Sequence, residues 1–113
     1  MIADDSSSIR LVLEDILAIG KHEVVYQAKD GAEAVEKYLS LKPDILLLDL
    51  TMPKKDGLTV LKEIKKIHPD AKVIMLSASD SKNMVDDCLE AGATSFISKP
   101  FDFKMVLKTL EEI

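Results

Sequence analysis

The sequence predicts an α/β fold in which five β-strands and five helices alternate, in the order (βα)5. Two observations support this fold class. Short apolar runs of strand length recur along the chain, and between them apolar residues recur at the spacing of amphipathic helices. Strands that alternate with helices predict a parallel sheet with helices on both faces. A chain of 113 residues has room for one such domain, which we expect to span residues 1–113.

The predicted strands are short and mostly apolar. The first is represented only by its end, Met1–Ala3, whereas strands usually run to about five or six residues. The other four are centred on Val24–Tyr26, Ile45–Leu48, Val73–Leu76 and Phe96–Ile97.

One amphipathic helix is predicted after each strand. The first ends at Gly20, a typical C-terminal glycine. Asp30 and Glu33 have the spacing of a capping box and open the second helix, which ends before Pro43. The apolar faces of the last three helices lie on Leu58–Ile64, Met84–Leu89 and Phe103–Leu110.

Composition excludes several classes of protein. A net charge of −5 disfavours a nucleic-acid-binding face, which needs clustered Lys and Arg. A single cysteine leaves no intrachain disulfide. No apolar run approaches the length of a membrane span, and no signal peptide is recognised. These features favour a cytoplasmic protein that does not bind membranes.

Polar side chains follow four of the predicted strands. Asp4 and Asp5 follow the first, Asp49 the third, Ser77 the fourth and Lys99 the fifth. Right-handed crossovers place the carboxyl ends of parallel strands at one edge of the sheet, where ligands bind in such folds. We therefore expect these five side chains to converge there.

The balance of charge at this edge predicts a hard divalent cation. Three carboxylates against one lysine leave an excess of negative charge, and Mg²⁺ prefers carboxylate, water and phosphate oxygens. No His or Cys stands at these strand ends, which disfavours zinc. Taken singly, each residue also has a simpler interpretation. Asp4 and Asp5 would favour a helix N-terminus, Ser77 would be a loop hydroxyl, and Lys99 would be a solvated lysine.

The same residues resemble a known family. Asp4-Asp5, Asp49 within DILLLDLTMP, Ser77 within MLSAS, and Lys99-Pro100 within FISKPF are similar to the receiver domain of two-component response regulators, in its CheY-like form. The resemblance covers essentially the whole chain. It implies a flavodoxin-like, doubly wound sheet with strand order 2-1-3-4-5. The short first strand would then be central, so we expect it to weaken the sheet and the order of the metal site.

The resemblance also implies the roles of the acidic residues. Asp49 would be the phosphoacceptor, forming an acyl phosphate. Asp5 and Asp49 would bind Mg²⁺, or Mn²⁺, directly, and Asp4 would help through water. The backbone carbonyl of Thr51 would be a further ligand.

Four other residues would bind the phosphoryl group. The resemblance assigns this role to the Lys99 ammonium, the Ser77 hydroxyl and the backbone of Leu50 and Ala78.

A further set of residues would act in switching and in the lifetime of the acyl phosphate. Phe96 matches an aromatic residue that turns inward when the Ser77 hydroxyl moves, and the Lys99–Pro100 bond would be cis. Thr51 and Ser79 stand where the family tunes hydrolysis, and both are small and neutral.

The resemblance implies protein partners. A histidine kinase or phosphotransfer protein would donate the phosphoryl group, and a downstream protein would bind the surface formed by the fourth helix, fifth strand and fifth helix. The protein would be a monomer or a phosphorylation-dependent dimer without direct contact to nucleic acid. It would not be an enzyme, apart from phosphorylating and dephosphorylating itself at Asp49.

Three other functions compete with this interpretation. A Mg²⁺-dependent phosphatase of the haloacid dehalogenase type also uses an Asp nucleophile after a strand, but it needs a second Asp where this chain has Thr51. A dinucleotide-binding domain would need a glycine-rich turn after the first strand, which is missing. A degenerate receiver that acts only as a protein–protein interaction module is the third.

Overall fold

The protein folds around one five-stranded parallel sheet with strand order 2-1-3-4-5. The computed structural model describes residues 1–78 and 81–113. The predicted flavodoxin-like (βα)5 fold is confirmed, including the short first strand.

The elements alternate strictly along the chain. The strands are β1 (Ile2–Ala3), β2 (Gln27–Ala28), β3 (Leu46–Asp49), β4 (Val73–Ser77) and β5 (Ser95–Ser98). The helices are α1 (Ser7–Ile19), α2 (Gly31–Leu41), α3 (Gly57–Ile67), α4 (Lys82–Glu90) and α5 (Phe103–Glu111). Among the described residues, none of these helices is long and apolar enough to cross a bilayer.

The second strand lies further along the chain than predicted. The apolar run Val24–Tyr26 precedes it, and β2 is Gln27–Ala28. The ladder between β1 and β2 starts where Ile2 stands opposite Gln27. Pairing with β1, rather than apolar character, therefore sets where β2 begins.

Hydrogen bonding around β1 extends beyond its two residues. The Ile2 and Asp4 N–H groups donate to the carbonyls of Tyr26 and Ala28, each at 3.1 Å, and Leu47 N–H donates to the Met1 carbonyl at 2.9 Å. The central strand is thus bonded to both neighbours from Met1 to Asp4, and the expected loss of ladder hydrogen bonds is smaller than its assigned length suggests.

The second helix begins as its sequence predicts. Asp30 is the N-cap of α2, and its carboxylate accepts the Glu33 N–H at 2.8 Å. The Glu33 carboxylate returns a bond to the N–H of Lys29 at 3.2 Å, one residue before the cap. The reciprocal bonds of a capping box are therefore present in a slightly shifted form.

Alternation along the strands divides the core into two apolar layers. In β3, Leu46 and Leu48 pack on the side of α2, α3 and α4, whereas Leu47 packs on the side of α1 and α5. This two-residue period is that of a strand buried on both faces. It leaves Asp49, the last residue of β3, beside the core at the carboxyl edge of the sheet.

Candidate functional site

The fold brings four of the predicted polar residues to the carboxyl edge of the sheet. Asp4 directly follows β1, Asp49 ends β3, Ser77 ends β4 and Lys99 directly follows β5. Asp4 is fully buried, and Asp49 and Ser77 are each 4% exposed. Burial of charged groups is costly unless they are paired, so their partners determine what this edge can do.

Lys99 lies between two buried carboxylates. Its Nζ is 2.9 Å from Asp4 Oδ2 and 3.2 Å from Asp49 Oδ1, and its side chain is 18% exposed. The positive charge of Lys99 therefore compensates two carboxylates that lie 95 and 50 residues away in sequence.

The Asp4 side chain and main chain are both held in place. Its Oδ1 accepts the Ser6 N–H at 2.9 Å, and its carbonyl accepts a hydrogen bond from Arg10 Nη1 at 2.6 Å. Its own N–H bonds to the Ala28 carbonyl in the sheet. The residues between β1 and α1 are thus hydrogen-bonded to β2 on one side and to α1 on the other.

The three predicted carboxylates form a group that can hold a metal ion. Asp4, Asp5 and Asp49 each offer an oxygen, and these oxygens lie within 4.8 Å of one another. Asp5 is exposed, so a hydrated ion has access from solvent. Oxygen donors, an accessible side and an excess of negative charge over Lys99 all fit Mg²⁺, which keeps several of its waters.

The protonation equilibria reflect this crowding. Burial raises the pKa of Asp49, and the negative charge of Asp4 raises it further, against the opposing effects of Lys99 and the Thr51 N–H. Burial would lower the pKa of Lys99, but its hydrogen bonds and charge interactions with Asp4 and Asp49 together raise it. The lysine is therefore held as a cation, while burial and the neighbouring Asp4 make the charge of Asp49 unfavourable.

The loop after β3 packs tightly under Asp49. Gly57 N–H donates to the Leu50 carbonyl at 2.7 Å, and a Cβ at Gly57 would lie 2.2 Å from the Asp49 carbonyl oxygen. Only glycine fits this approach, which fixes the start of α3 against the end of β3.

Two backbone amides near Asp49 have different partners. The Leu50 N–H donates to the Leu76 carbonyl at 2.9 Å, within the sheet. The Thr51 N–H lies near enough to the Asp49 carboxylate to lower its pKa. The sequence predicts a role for the Thr51 carbonyl, and the structure adds that its amide is close to the Asp49 carboxylate.

The remaining predicted residues lie around this centre. The Lys99 N–H donates to the Ser77 carbonyl at 2.7 Å, and the Lys99–Pro100 peptide bond is cis. Phe96 is partly buried and packs against the α2–α4 side of the core. Ala78 is exposed directly after β4, and Ser79 lies outside the described residues.

Sequence reasoning missed Arg10 and Gly57. Arg10 is the sole arginine of the chain and lies within the helical apolar pattern that begins at Ile9, which was the only available signal. Gly57 directly follows the N-cap Asp56, where a glycine has no local function that a sequence pattern would reveal.

Comparison with known proteins identifies close relatives over the whole chain. A family model described as "response regulator receiver domain" matches residues 1–111. The chain is 46% identical over 112 residues to the chemotaxis protein CheY of Bacillus subtilis, covering 99% of this chain and 93% of that protein. It is 44% identical over 113 residues to CheY of Thermotoga maritima, covering 100% and 94%.

A solved structure shows the same fold. A chain of the CheX–CheY–BeF3–Mg²⁺ complex from Borrelia burgdorferi superposes with a TM-score of 0.95 at 42% identity, covering 98% of this chain and 84% of that one.

Proposed function

This chain belongs to the family of response regulator receiver domains, and we propose that Asp49 is its phosphoacceptor. As a receiver of the CheY type, the domain serves two-component signalling and is not itself a catalyst of metabolism. In the proposed function, a histidine kinase or phosphotransfer protein donates a phosphoryl group to the Asp49 carboxylate. The result is an acyl phosphate.

The observation that carries this proposal is the position of Asp49 beside Lys99 and within the group of three carboxylates. A carboxylate is a weak nucleophile, so phosphoryl transfer depends on orientation and on neutralising charge. The buried end of β3 and the hydrogen bond from Lys99 orient the Asp49 carboxylate. Lys99, 3.2 Å from Asp49 Oδ1, supplies a positive charge where the phosphoryl oxygens would lie.

We assign the metal ligands to the acidic group. Asp5 and Asp49 would bind Mg²⁺, or Mn²⁺, directly, with Asp4 acting through water and Thr51 through its carbonyl. When bound, the ion would neutralise negative charge on the transferred phosphoryl group.

The other phosphoryl contacts would come from Ser77 and from backbone amides. Ser77 lies at the buried end of β4, and the Ala78 amide follows it. The Leu50 amide would have to exchange its bond to the Leu76 carbonyl, whereas the Thr51 amide already faces the Asp49 carboxylate. Thr51 is therefore the better placed of the two donors.

The output surface would be the one formed by α4, β5 and α5. Phosphorylation adds about −1.5 to −2 charge at Asp49, which would draw Lys99 and Ser77 toward the new oxygens. Ser77 lies before α4 and Lys99 lies between β5 and α5, so their movement can bias this surface between two arrangements. Phe96, partly buried on β5, would move with Ser77.

This surface has apolar side chains that a protein partner could cover. Leu89 on α4 and Phe103 on α5 are each 47% exposed, and Met105 on α5 is 45% exposed. We propose that a downstream protein, or a second phosphorylated copy, binds here, with no direct role for nucleic acid.

The direct test is incubation with acetyl phosphate and Mg²⁺, followed by intact-protein mass spectrometry. The wild type should gain one phosphoryl group and Asp49→Asn should gain none. Asp70→Asn, an exposed loop acid, is the matched control and should be labelled like the wild type. Labelling that persists in Asp49→Asn would move the acceptor elsewhere.

Two other outcomes would favour the rival functions. A wild-type protein that is never labelled would be a degenerate receiver acting as an interaction module. Repeated turnover of small phosphate esters would instead indicate a Mg²⁺-dependent phosphatase. For the output surface, equal partner affinity with and without a beryllofluoride mimic would contradict the proposed switch.

A further inference from the structure

Arg10 makes a hydrogen bond that the proposed phosphorylation chemistry does not use. It lies on α1, one turn after the N-cap Ser6, and is partly buried. Its Nη1 donates to the Asp4 carbonyl oxygen at 2.6 Å. A bond from a charged guanidinium to a carbonyl is among the stronger hydrogen bonds in proteins.

The bonded carbonyl belongs to the peptide group that joins Asp4 to Asp5. The orientation of this peptide group determines the direction in which the Asp5 side chain leaves the backbone. The exposed Asp5 carboxylate makes no hydrogen bond or ion pair with any residue in the described part of the chain. Asp5 is therefore placed within reach of Asp4 and Asp49 by its backbone alone.

The Arg10 charge does not compensate the acidic group by direct pairing. Within residues 1–78 and 81–113, no carboxylate lies within 4.0 Å of its guanidinium, whereas Lys99 pairs with both Asp4 and Asp49. The contact of Arg10 with this edge is thus geometric: it holds one peptide group.

We propose that Arg10 is a positioning residue for divalent cation binding, because it fixes the peptide group that aims Asp5 at the cation. This inference rests on the proposed metal site of the receiver. Groups that orient ligands from outside the metal's own coordination typically change metal affinity by about 10- to 100-fold.

Positioning and electrostatics predict opposite signs, so a single substitution separates them. If Arg10 acted only as a nearby positive charge, its removal would reduce repulsion and tighten Mg²⁺ binding. If Arg10 positions Asp5, its removal releases the peptide group and weakens binding, despite the lost repulsion.

The experiment is titration of the metal-free protein with MgCl₂ by isothermal calorimetry, without any phosphodonor. Arg10→Met should bind Mg²⁺ about tenfold more weakly than the wild type. Arg10→Lys, which restores the charge with a differently shaped donor, should lie between the two. Lys104→Met removes one exposed positive charge from α5 and should leave the affinity unchanged.

A second readout follows the peptide group itself. In the metal-free state, the ¹⁵N shift of the Asp5 amide should move in Arg10→Met and stay in Lys104→Met, because this nitrogen shares a peptide group with the bonded carbonyl. If circular dichroism shows that Arg10→Met does not fold, Arg10→Lys becomes the deciding variant. Weaker Mg²⁺ binding by Arg10→Lys, together with a shifted Asp5 amide, supports the proposal. Wild-type values for both measurements overturn it.

The remaining outcomes separate this inference from the proposed function. A folded Arg10→Met that binds Mg²⁺ as tightly as the wild type, or more tightly, overturns the positioning role and leaves the metal site intact. A wild type that binds no Mg²⁺ overturns both.

Discussion

The two edges of the sheet are built in contrasting ways. At the carboxyl edge, Asp4, Asp49 and Lys99 are packed within hydrogen-bond distance with little exposure to solvent. At the amino edge there is a cavity of about 300 Å³, with Leu17 and Leu47 among its lining residues. The first edge concentrates buried charge where it is costly. The second leaves a space of mixed lining, in which Glu23, Lys42 and Asp44 stand beside the leucines.

This difference indicates what the stability of each edge depends on. At the carboxyl edge, the free energy of unfolding should respond to pH and to divalent cations, because charged groups dominate. At the amino edge, a truncated apolar side chain should cost volume and apolar burial. The Met1 ammonium, whose pKa burial lowers to about 6, adds a pH dependence of its own at this edge. Substitutions at the two edges can therefore be distinguished by how the change in the free energy of unfolding depends on solution conditions, as well as by its magnitude.

The largest effect is expected when Lys99 is replaced by Met. The fully buried Asp4 and the nearly buried Asp49 then lose their shared cation, and breaking a buried pair typically costs about 3 kcal/mol or more. Urea unfolding near neutral pH without Mg²⁺ should show this loss. Mg²⁺ should restore part of it by supplying positive charge.

The control for this prediction is Lys104→Met, which removes an exposed lysine. The pH dependence of wild-type stability checks the sign of the Lys99 contribution. Because the pKa of Lys99 is raised above its usual 10.5, its stabilisation is fully present below that pH and is lost as pH rises through the raised value. A Lys99→Met loss no larger than that of Lys104→Met would contradict the view that charge governs this edge.

At the amino edge, Leu47→Ala should lower the free energy of unfolding by about 2–3 kcal/mol. Leu47 is 2% exposed, lies in the α1–α5 layer and lines the cavity, so truncation enlarges a space that already exists. Urea unfolding at neutral pH, with and without Mg²⁺, should give the same loss. A loss that varied with Mg²⁺ would mean that the two edges are coupled.

A smaller effect of opposite sign is expected for Asp49→Asn. Burial and the neighbouring Asp4 make the Asp49 charge unfavourable, and only Lys99 and the Thr51 N–H offset this. The neutral amide should therefore stabilise the Mg²⁺-free protein near neutral pH by about 1 kcal/mol. The measurement is again urea unfolding, with Asp70→Asn as the exposed control.

The pH dependence of that gain provides its sharpest test. The pKa of Asp49 in the folded protein is raised above its usual 3.8, so protonation favours the folded state. The wild type is relatively more stable at low pH and loses this advantage as pH rises through the raised pKa. The gain from Asp49→Asn should therefore shrink on acidification, and a constant gain would count against the charge of Asp49 as its cause.

Much of the fold followed from local patterns. Apolar runs and helical spacing predicted five alternating strands and helices, and Asp30 with Glu33 predicted the start of α2 correctly. These signals are local because each depends on neighbours within about one helical turn or one strand. The position of β2 was predicted wrongly at Val24–Tyr26, since a strand is defined by its partner and the partner of β2 is β1.

The candidate site divides in the same way. The order of strands and polar residues along the chain predicted which side chains stand at the strand ends, because parallel strands put Asp4, Asp49, Ser77 and Lys99 at one edge. Two contacts became visible only in the folded chain: Lys99 bridges Asp4 and Asp49, and Arg10 holds the Asp4 carbonyl. The Lys99 contacts join residues up to 95 positions apart. The Arg10 contact depends on the direction in which a side chain of α1 turns toward the Asp4 carbonyl. Spacing along a chain encodes which element carries a residue, whereas distances between elements arise only when their apolar faces pack.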